Sequence, residues 1–472
     1  MPKYIVKCDI SGIQNFIFDV PSDGAARQLK ARSFYIIAIT EIAFKYLSDK
    51  FPNRTKEIYK GGGNLYTYLE AETEDSLQKA IEDFQREFYR EGVFPIFSFT
   101  QATGDFKQDM KAVAKKANLA KLQKPFQVSP FSFKPYAPEK WEDFTQELIK
   151  SGGFSIEQKL VADNPFSKAG YTFSLQKKEI QFKDKILNKI PFQHEKNKVV
   201  EFDEIVQKAT GDKKLAALVI DVDNLGSLFK DKEYEEYQRN SQKLTEFFEV
   251  ELYHILQKEI DEHAIYPVFA GGDDCFLVGA WDKILEKSLT IQEKFSAFAR
   301  ENSLSNTLSA GVVIVPSKFP MVRMAEEAEN ALKIAKNYGK NGICIFGEVL
   351  SWTDFAKAMK IAHDLREFVN KDELPRNLLH RLQSSELGFT SLAEQKAGKI
   401  YFPRVHRLMY YLRNVQEDSD ARKYLKKLFE DYKEALLENF LKKSGSNNPT
   451  LYVIAARWAE LLTKTQIKEN KN

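Results

Sequence analysis

The chain has 472 residues, 43% of them hydrophobic and 29% charged, with a net charge of +3. That length exceeds one ordinary core and calls for several domains, while the near-balanced charge excludes a global field built for nucleic acid and leaves only local basic faces. Three scattered cysteines, Cys8, Cys275 and Cys344, exclude a disulfide scaffold and a cysteine-rich zinc site, and the absence of a long apolar run or signal-like N-terminus points to no membrane role and a cytoplasmic setting.

In chain order, "YIVKCDISGIQNFIF" (4–18) reads as a strand ending in a turn at Gly12. Residues 29–51, free of Gly and Pro, read as a buried amphipathic helix. "EIYKGGGNLYTYLE" (57–70) reads as strand, glycine turn, strand. Leu77, Ile81, Phe84 and Phe88 form a helical stripe closed by Gly92, and "VFPIFSFTQA" (93–102) is a further strand. The order is βαββαβ. It then returns. "LAALVIDVDNLGSLF" (215–229) is a strand and turn, and 234–260 is a helix with Leu244, Phe248, Leu252 and Ile255 on one face. "AIYPVFAGGDDCFLVGA" (264–280) is a hairpin, 282–302 a helix and "TLSAGVVIVP" (307–316) a strand. Asp9 precedes Gly61 by 52 residues and Asp221 precedes Gly271 by 50, so "KGGGN" stands where "AGGDD" stands. Each copy runs on into a helix with lysines at its end, near Lys121 and near Lys336. This is an internal duplication.

The fold class expected is therefore α+β. Two ferredoxin-like βαββαβ palm domains (1–122 and 211–350) flank a small Phe-rich linker domain (123–210), and an α-helical domain (351–472) follows. The basic helices of the last domain read first as a solvated face, and more sharply as an RNA or partner surface.

The "GGDD" turn raises a chemical question. Glycine supplies positive φ, but adjacent carboxylates repel, and a bare turn is met by Asn-Gly or Asp-Gly. The paired acids Asp273 and Asp274 therefore suggest a cation. Asp221 and Asp223, at i and i+2 of one strand, share a face that abuts the Gly271–Asp274 turn. Oxygen ligands without histidine suit Mg²⁺ or Mn²⁺, and two such ions would polarise an α-phosphate and activate a 3′-hydroxyl. Lys336 and Lys340 close the helix of 321–340, either as complements of its dipole or as groups reaching a triphosphate.

These residues carry a resemblance. "LVIDVDN", "AGGDD" and "AEEAENALKIAKNYGKNG" resemble the core of GGDEF-type nucleotide cyclases and the palm of polymerases. "CDISGIQNFIF", "ARSFY" preceded by Lys30, "GGGNLY", "FAGGDDCFLVG" and "KNGICIFGEVLSW" together look like the large signature subunit of type III CRISPR effector complexes, nearer the Csm type than the Cmr type. The resemblance spans nearly the whole chain. It implies an ATP-using cyclase or oligoadenylate synthase of an antiviral complex, with crRNA, target RNA and other effector subunits as partners. Asp221 and Asp273 would then be metal ligands, Val222 would offer a carbonyl, and Asp274 would hold metal or help activate the hydroxyl. Gly271 and Gly272 would pass close to the nucleotide, Lys336 and Lys340 would hold phosphate, and Asn224 and Ser227 would meet base or ribose. The first palm, through Gly62, Gly63 and Asn64, would seat an acceptor nucleotide without catalysing. Departures from the pattern are the missing HD nuclease text ahead of Asp9 and the missing linker cysteines, so no DNase activity is expected. The "HD" of His363–Asp364 reads as helix packing. A catalytically silent scaffold and a stand-alone dinucleotide cyclase are the competing readings.

Overall fold

Residues 3–11 alternate between two cores, and that alternation fixes the first sheet. Val6, Cys8 and Ile10 enter the main core, while Ile5 packs with Val113 of the helix Phe106–Leu122. This central strand, β1 (Lys3–Ser11), lies between β3 (Asn64–Glu70) and β4 (Phe94–Gln101), with β2 (Thr55–Gly61) outermost in the order β2-β3-β1-β4. The chain is seen in a computed structural model that describes residues 1–88, 93–122, 138–161, 164–175, 179–182, 184–385, 406–440 and 448–464.

The segment between the two large sheets forms small sheets of its own. β5 (Gly153–Glu157), β6 (Ser167–Lys168), β7 (Tyr171–Ser174) and β8 (Ile180–Gln181) order as β6-β7-β5-β8, and β9 (Phe192–Gln193) pairs with β10 (Lys198–Val199). Its phenylalanines have a clear use. Phe154, Phe173 and Phe182 surround Phe34 of the helix Ala26–Lys50, with ring centroids 5.2–6.0 Å away. The linker is thereby glued to the first palm by buried aromatic area.

The second large sheet repeats the first and extends it. β11 (Leu215–Val222), β12 (Ile265–Gly271), β13 (Asp274–Ala280) and β14 (Leu308–Val315) order as β12-β13-β11-β14, and β15 (Gly342–Ile345) and β16 (Glu348–Ser351) add to the β14 edge. The two copies agree in detail. Asp9 lies opposite Asn64, and Asp221 lies opposite Asp274. The register of β2 slips between Glu57 and Tyr59, and that of β12 between Pro267 and Phe269, at the same distance from each turn. A shared bulge, which re-aims a strand, confirms the duplication more finely than spacing.

The helix Met321–Asn337 packs on β14 with Met321, Met324, Ala325, Ala328, Leu332 and Ala335 buried, the stripe read from the sequence. Gly311 makes the close approach possible. A side-chain carbon there would lie 2.2 Å from the Leu332 amide nitrogen. One expected stripe shifts. The helix from Tyr234 to Asp261 contains a π-turn at Phe247–Glu251, so Leu256 is buried where Ile255 was expected. A π-turn adds a residue and advances the phase.

The C-terminal part is helical, and its helix Trp352–Asn370 packs on Thr450–Leu462 through Phe355 and Trp458, 5.4 Å apart. His363 tilts against Trp458 and Asp364 accepts from the Tyr424 hydroxyl at 3.0 Å, so the "HD" pair does serve packing. Among the described residues no helix is long and apolar enough to cross a membrane.

Candidate active site

Asp221 is the penultimate residue of β11 and faces Asp274 across the β13 pairing. The Val222 amide donates to the Asp273 carbonyl oxygen at 3.1 Å, which ties the strand end to the turn. Lys336, at the end of its helix, is ion-paired with Asp221. The first palm has the same pair: Lys121, at the end of Phe106–Leu122, meets Asp9 at 2.6 Å.

Burial is the main force on these acids. It holds Asp221 above the usual carboxylate range against the pull of Lys336. Burial and then the Asp221 charge raise Asp273 to about 6. Burial, reinforced by Asp273 and Asp221, pushes Asp274 well up. Three carboxylates thus crowd one ammonium. Their all-oxygen chemistry and their surplus of negative charge fit a hard divalent cation. Among the described residues no group of three or more His, Cys, Asp or Glu side chains stands ready to ligate a metal. Lys336 holds Asp221 in this state, so release of that pair would have to accompany metal binding.

The two turns differ at one position. Gly62 and Gly63 both have positive φ, +56° and +78°, whereas in the second turn only Gly272 does, at +69°. The second central position there is open to an L-residue, and Asp273 takes it. At Gly63 an added carbon would also strike Ile13 at 2.7 Å. Gly271 faces open space.

Asp223 does not converge with the other acids. It lies past the end of β11, so the two-residue period no longer aims it. Its carboxylate accepts from Thr307 Oγ1 at 2.7 Å, Ser309 Oγ at 2.7 Å and the Asn341 amide at 3.0 Å. It is 1% exposed and is a tie between β11, β14 and the loop after Lys336. Asn224 adopts a left-handed φ of 54°, and its Oδ1 accepts from Lys340 Nζ at 2.6 Å. The Ser227 hydroxyl donates to the Asn224 carbonyl at 2.8 Å, a local turn bond, and Ser227, Asn224, Lys336 and Lys340 all lie outside the linings of the two clefts described next.

Two clefts flank the paired turns. The first, about 430 Å³, is lined by Gly272 and Asp273 of the second palm together with Tyr59 and Asn64 of the first. The second, about 380 Å³, is lined by Gly62 and Gly63 of the first palm with Gly271 and Asp274 of the second. The first cleft takes the middle of the second turn with Asn64 of the first, and the second takes the middle of the first turn with both ends of the second. Both have the size of small-molecule sites. Asn64 therefore lies across from Asp273, in a different cleft from Gly62 and Gly63.

The sequence reading missed the walls of the first cleft. Tyr59, Tyr66, Phe106, Phe229 and Tyr237 give it aromatic faces, and Lys111 and Lys230, which have no ion-pair partner among the described residues, give it positive charge. Burial, then the Asp273 charge, raises the Tyr59 hydroxyl. It also missed the contacts between palms. Gln14 donates to Glu329 at 2.6 Å, and the fully buried Lys30 donates to the Pro267 carbonyl at 3.1 Å and the Ile186 carbonyl at 3.3 Å. Burial lowers Lys30 to about 7. "GGG" in the first hairpin and "ARSFY" after Lys30 were the available signals, but neither names a cross-domain partner.

Comparison with known proteins agrees with this geometry. Residues 214–344 match the second palm domain of the Cas10/Cmr2 family, and residues 3–128 match domain B of the Csm1 subunit. A subtype III-A Cas10/Csm1 protein of Streptococcus thermophilus, described as a CRISPR system single-strand-specific deoxyribonuclease, is 26% identical over 509 aligned residues, covering 89% of this chain and 64% of that protein. The chain spans about three-fifths of the length of the curated relatives it matches. Crystal structures of a Csm1–Csm4 cassette superpose with TM-scores of 0.71 (with cA4) and 0.72 (with pppApA), each at 18% identity over 98% of this chain and 70% of the other. At that identity the likeness establishes the fold.

Proposed function

We infer that this chain, which belongs with the Cas10/Csm1 large subunits of type III-A CRISPR systems, is a metal-dependent nucleotidyltransferase that joins adenylates from ATP inside an RNA-guided complex. The observation that carries the reading is the pairing of two clefts around one acidic turn. A donor nucleotide occupies the first cleft, with its triphosphate toward Lys336 and Lys340. An acceptor occupies the second, against Gly62 and Gly63, with its 3′-hydroxyl toward Asp274. The swapped turns bring the two nucleotides together at Asp273 and Asp274, which supplies the proximity such a transfer needs.

Asp221, Asp273 and Asp274, with the Val222 carbonyl, would hold Mg²⁺ or Mn²⁺. When bound, the metal supplies charge neutralisation at the α-phosphate and acidifies the attacking hydroxyl. The rest is work for the chain's own side chains. Lys336 moves its charge from Asp221 to phosphate. Asp274, whose carboxyl is held protonated more readily than a free acid, becomes a proton acceptor once its neighbours are neutralised. The aromatic walls of the first cleft stack a base. Likeness to cassettes crystallised with pppApA and cA4 supports adenylates as substrate and product. The deoxyribonuclease name of the relative belongs to that protein, and His363 and Asp364 are engaged in packing.

The partners in this reading are crRNA, target RNA and a Csm4-like subunit. The test is mass spectrometry of a reaction containing the reconstituted complex, matching target RNA, ATP and Mg²⁺ or Mn²⁺. Linear or cyclic adenylates linked 3′–5′ are expected. Unchanged ATP under every metal and RNA condition would favour a silent scaffold.

A further inference from the structure

The palms are built as sister copies, and one difference between them has chemistry. Tyr59 stands two residues before Gly61, and Phe269 stands two residues before Gly271. Both sit just after the shared bulge. Tyr59 lines the first cleft and Phe269 lines the second. The hydroxyl is thus present only in the cleft that holds Asp273.

Its position is close to the acidic turn. A side-chain carbon on Gly272 would lie 3.3 Å from Tyr59 Oη, and one on Gly61 would lie 3.1 Å from it. The hydroxyl therefore hovers over both glycine turns at once. Like Tyr66 and Tyr237 of the same cleft it has no hydrogen-bond partner among the described residues, whereas Tyr46, Tyr68, Tyr171 and Tyr266 each donate to a protein acceptor. The ring is half-buried and the hydroxyl stays open to the cleft, free to donate to what enters there. Lys111 and Lys230 stand in the same cleft beside Asp231 and Asp273, and give an anionic group two ammonium partners there.

We propose that Tyr59 is a substrate-binding residue lent by the first palm to the second palm's site, where its hydroxyl donates to an anionic oxygen of the nucleotide lying against Gly272. The proposal rests on the nucleotidyltransferase reading. It explains why the catalytic cleft needs a sister domain whose own turn carries no acids. The phenol oxygen and the flanking glycine leave room for a phosphate oxygen, and no bulkier residue at 272 would.

The variant that tests it is Tyr59→Phe. Phe269 shows that phenylalanine suits the equivalent position, so folding is kept, and a melting temperature within about 2 °C of wild type checks this. Binding of a non-hydrolysable ATP analogue with Mn²⁺ is then measured by calorimetry on the full complex. The expected result is a dissociation constant raised about tenfold for Tyr59→Phe, the loss of one hydrogen bond to a charged group. Wild-type affinity in Tyr59→Phe would overturn the proposal while leaving the transferase reading intact. Failure of the wild-type complex to bind any nucleotide would overturn that reading, and the proposal with it.

Discussion

Lys336 is ion-paired with Asp221 from 115 positions along the chain, and Lys121 holds Asp9 in the same way in the sister palm. In the first palm the pair is a remnant of structure. In the second it sits beside two more carboxylates and sets the charge state of the site. The ammonium occupies the place in the charge balance that a cation would take.

Replacing Lys336 should therefore separate metal from nucleotide. In Lys336→Ala, Mn²⁺ alone should bind up to about fivefold more tightly, because a partly exposed ion pair no longer competes for Asp221. The nucleotide should bind more weakly in the same variant. Calorimetry with Mn²⁺, then with an ATP analogue, reads both. Weaker binding of Mn²⁺ alone would contradict the competition.

The acidic turn should respond to pH with a definite sign. Asp273 is raised by burial to about 6, above its ordinary value of 3.8, so the folded state binds a proton that the unfolded state has released. Its burial penalty is fully present above about 6 and is relieved as pH falls from 6 towards 4. Asp273→Asn should thus raise the melting temperature of the metal-free protein more at pH 7.5 than at pH 4.5. Mn²⁺ affinity of the wild type should fall as pH drops through about 6. An equal effect of the substitution at both pH values would refute the assignment.

The two turns should not tolerate exchange equally. Gly63→Asp places an L-residue at φ +78° against Ile13 and should lower the melting temperature by about 4 °C or more. Asp273→Asn with Asp274→Asn should leave it at or above the wild-type value, since it removes mutual repulsion. Thermal unfolding of the three proteins decides the matter.

Much of this arrangement was legible in the sequence because the chain says it twice. The spacing of Asp9 to Gly61 and of Asp221 to Gly271 gave the duplicated strand order, and the lysines at the helix ends were singled out, but as dipole or phosphate partners and not as the partners of Asp9 and Asp221. Asp223 was misplaced because the two-residue period holds only while the strand lasts, and it ends at Val222. The π-turn at 247–251 hid from a pattern that assumes constant pitch. Tyr59 escaped because the turn it faces, at Gly272, lies on another domain, as do the partners of Lys30 and Gln14, and no local period records a contact across 200 residues. The left-handed state of Gly63, which distinguishes "GGGN" from "GGDD" as a turn, is likewise a property of backbone angles and of Ile13 packing above it.

The central claim is that the turn acids and Asp221 transfer adenylate. Pyrophosphate release from ATP by the target-RNA-bound complex tests it most directly, with wild type beside Asp273→Ala combined with Asp274→Ala. The account predicts steady release by the wild type and none above background by the double variant, with both complexes equally assembled. Equal release by the two would contradict it.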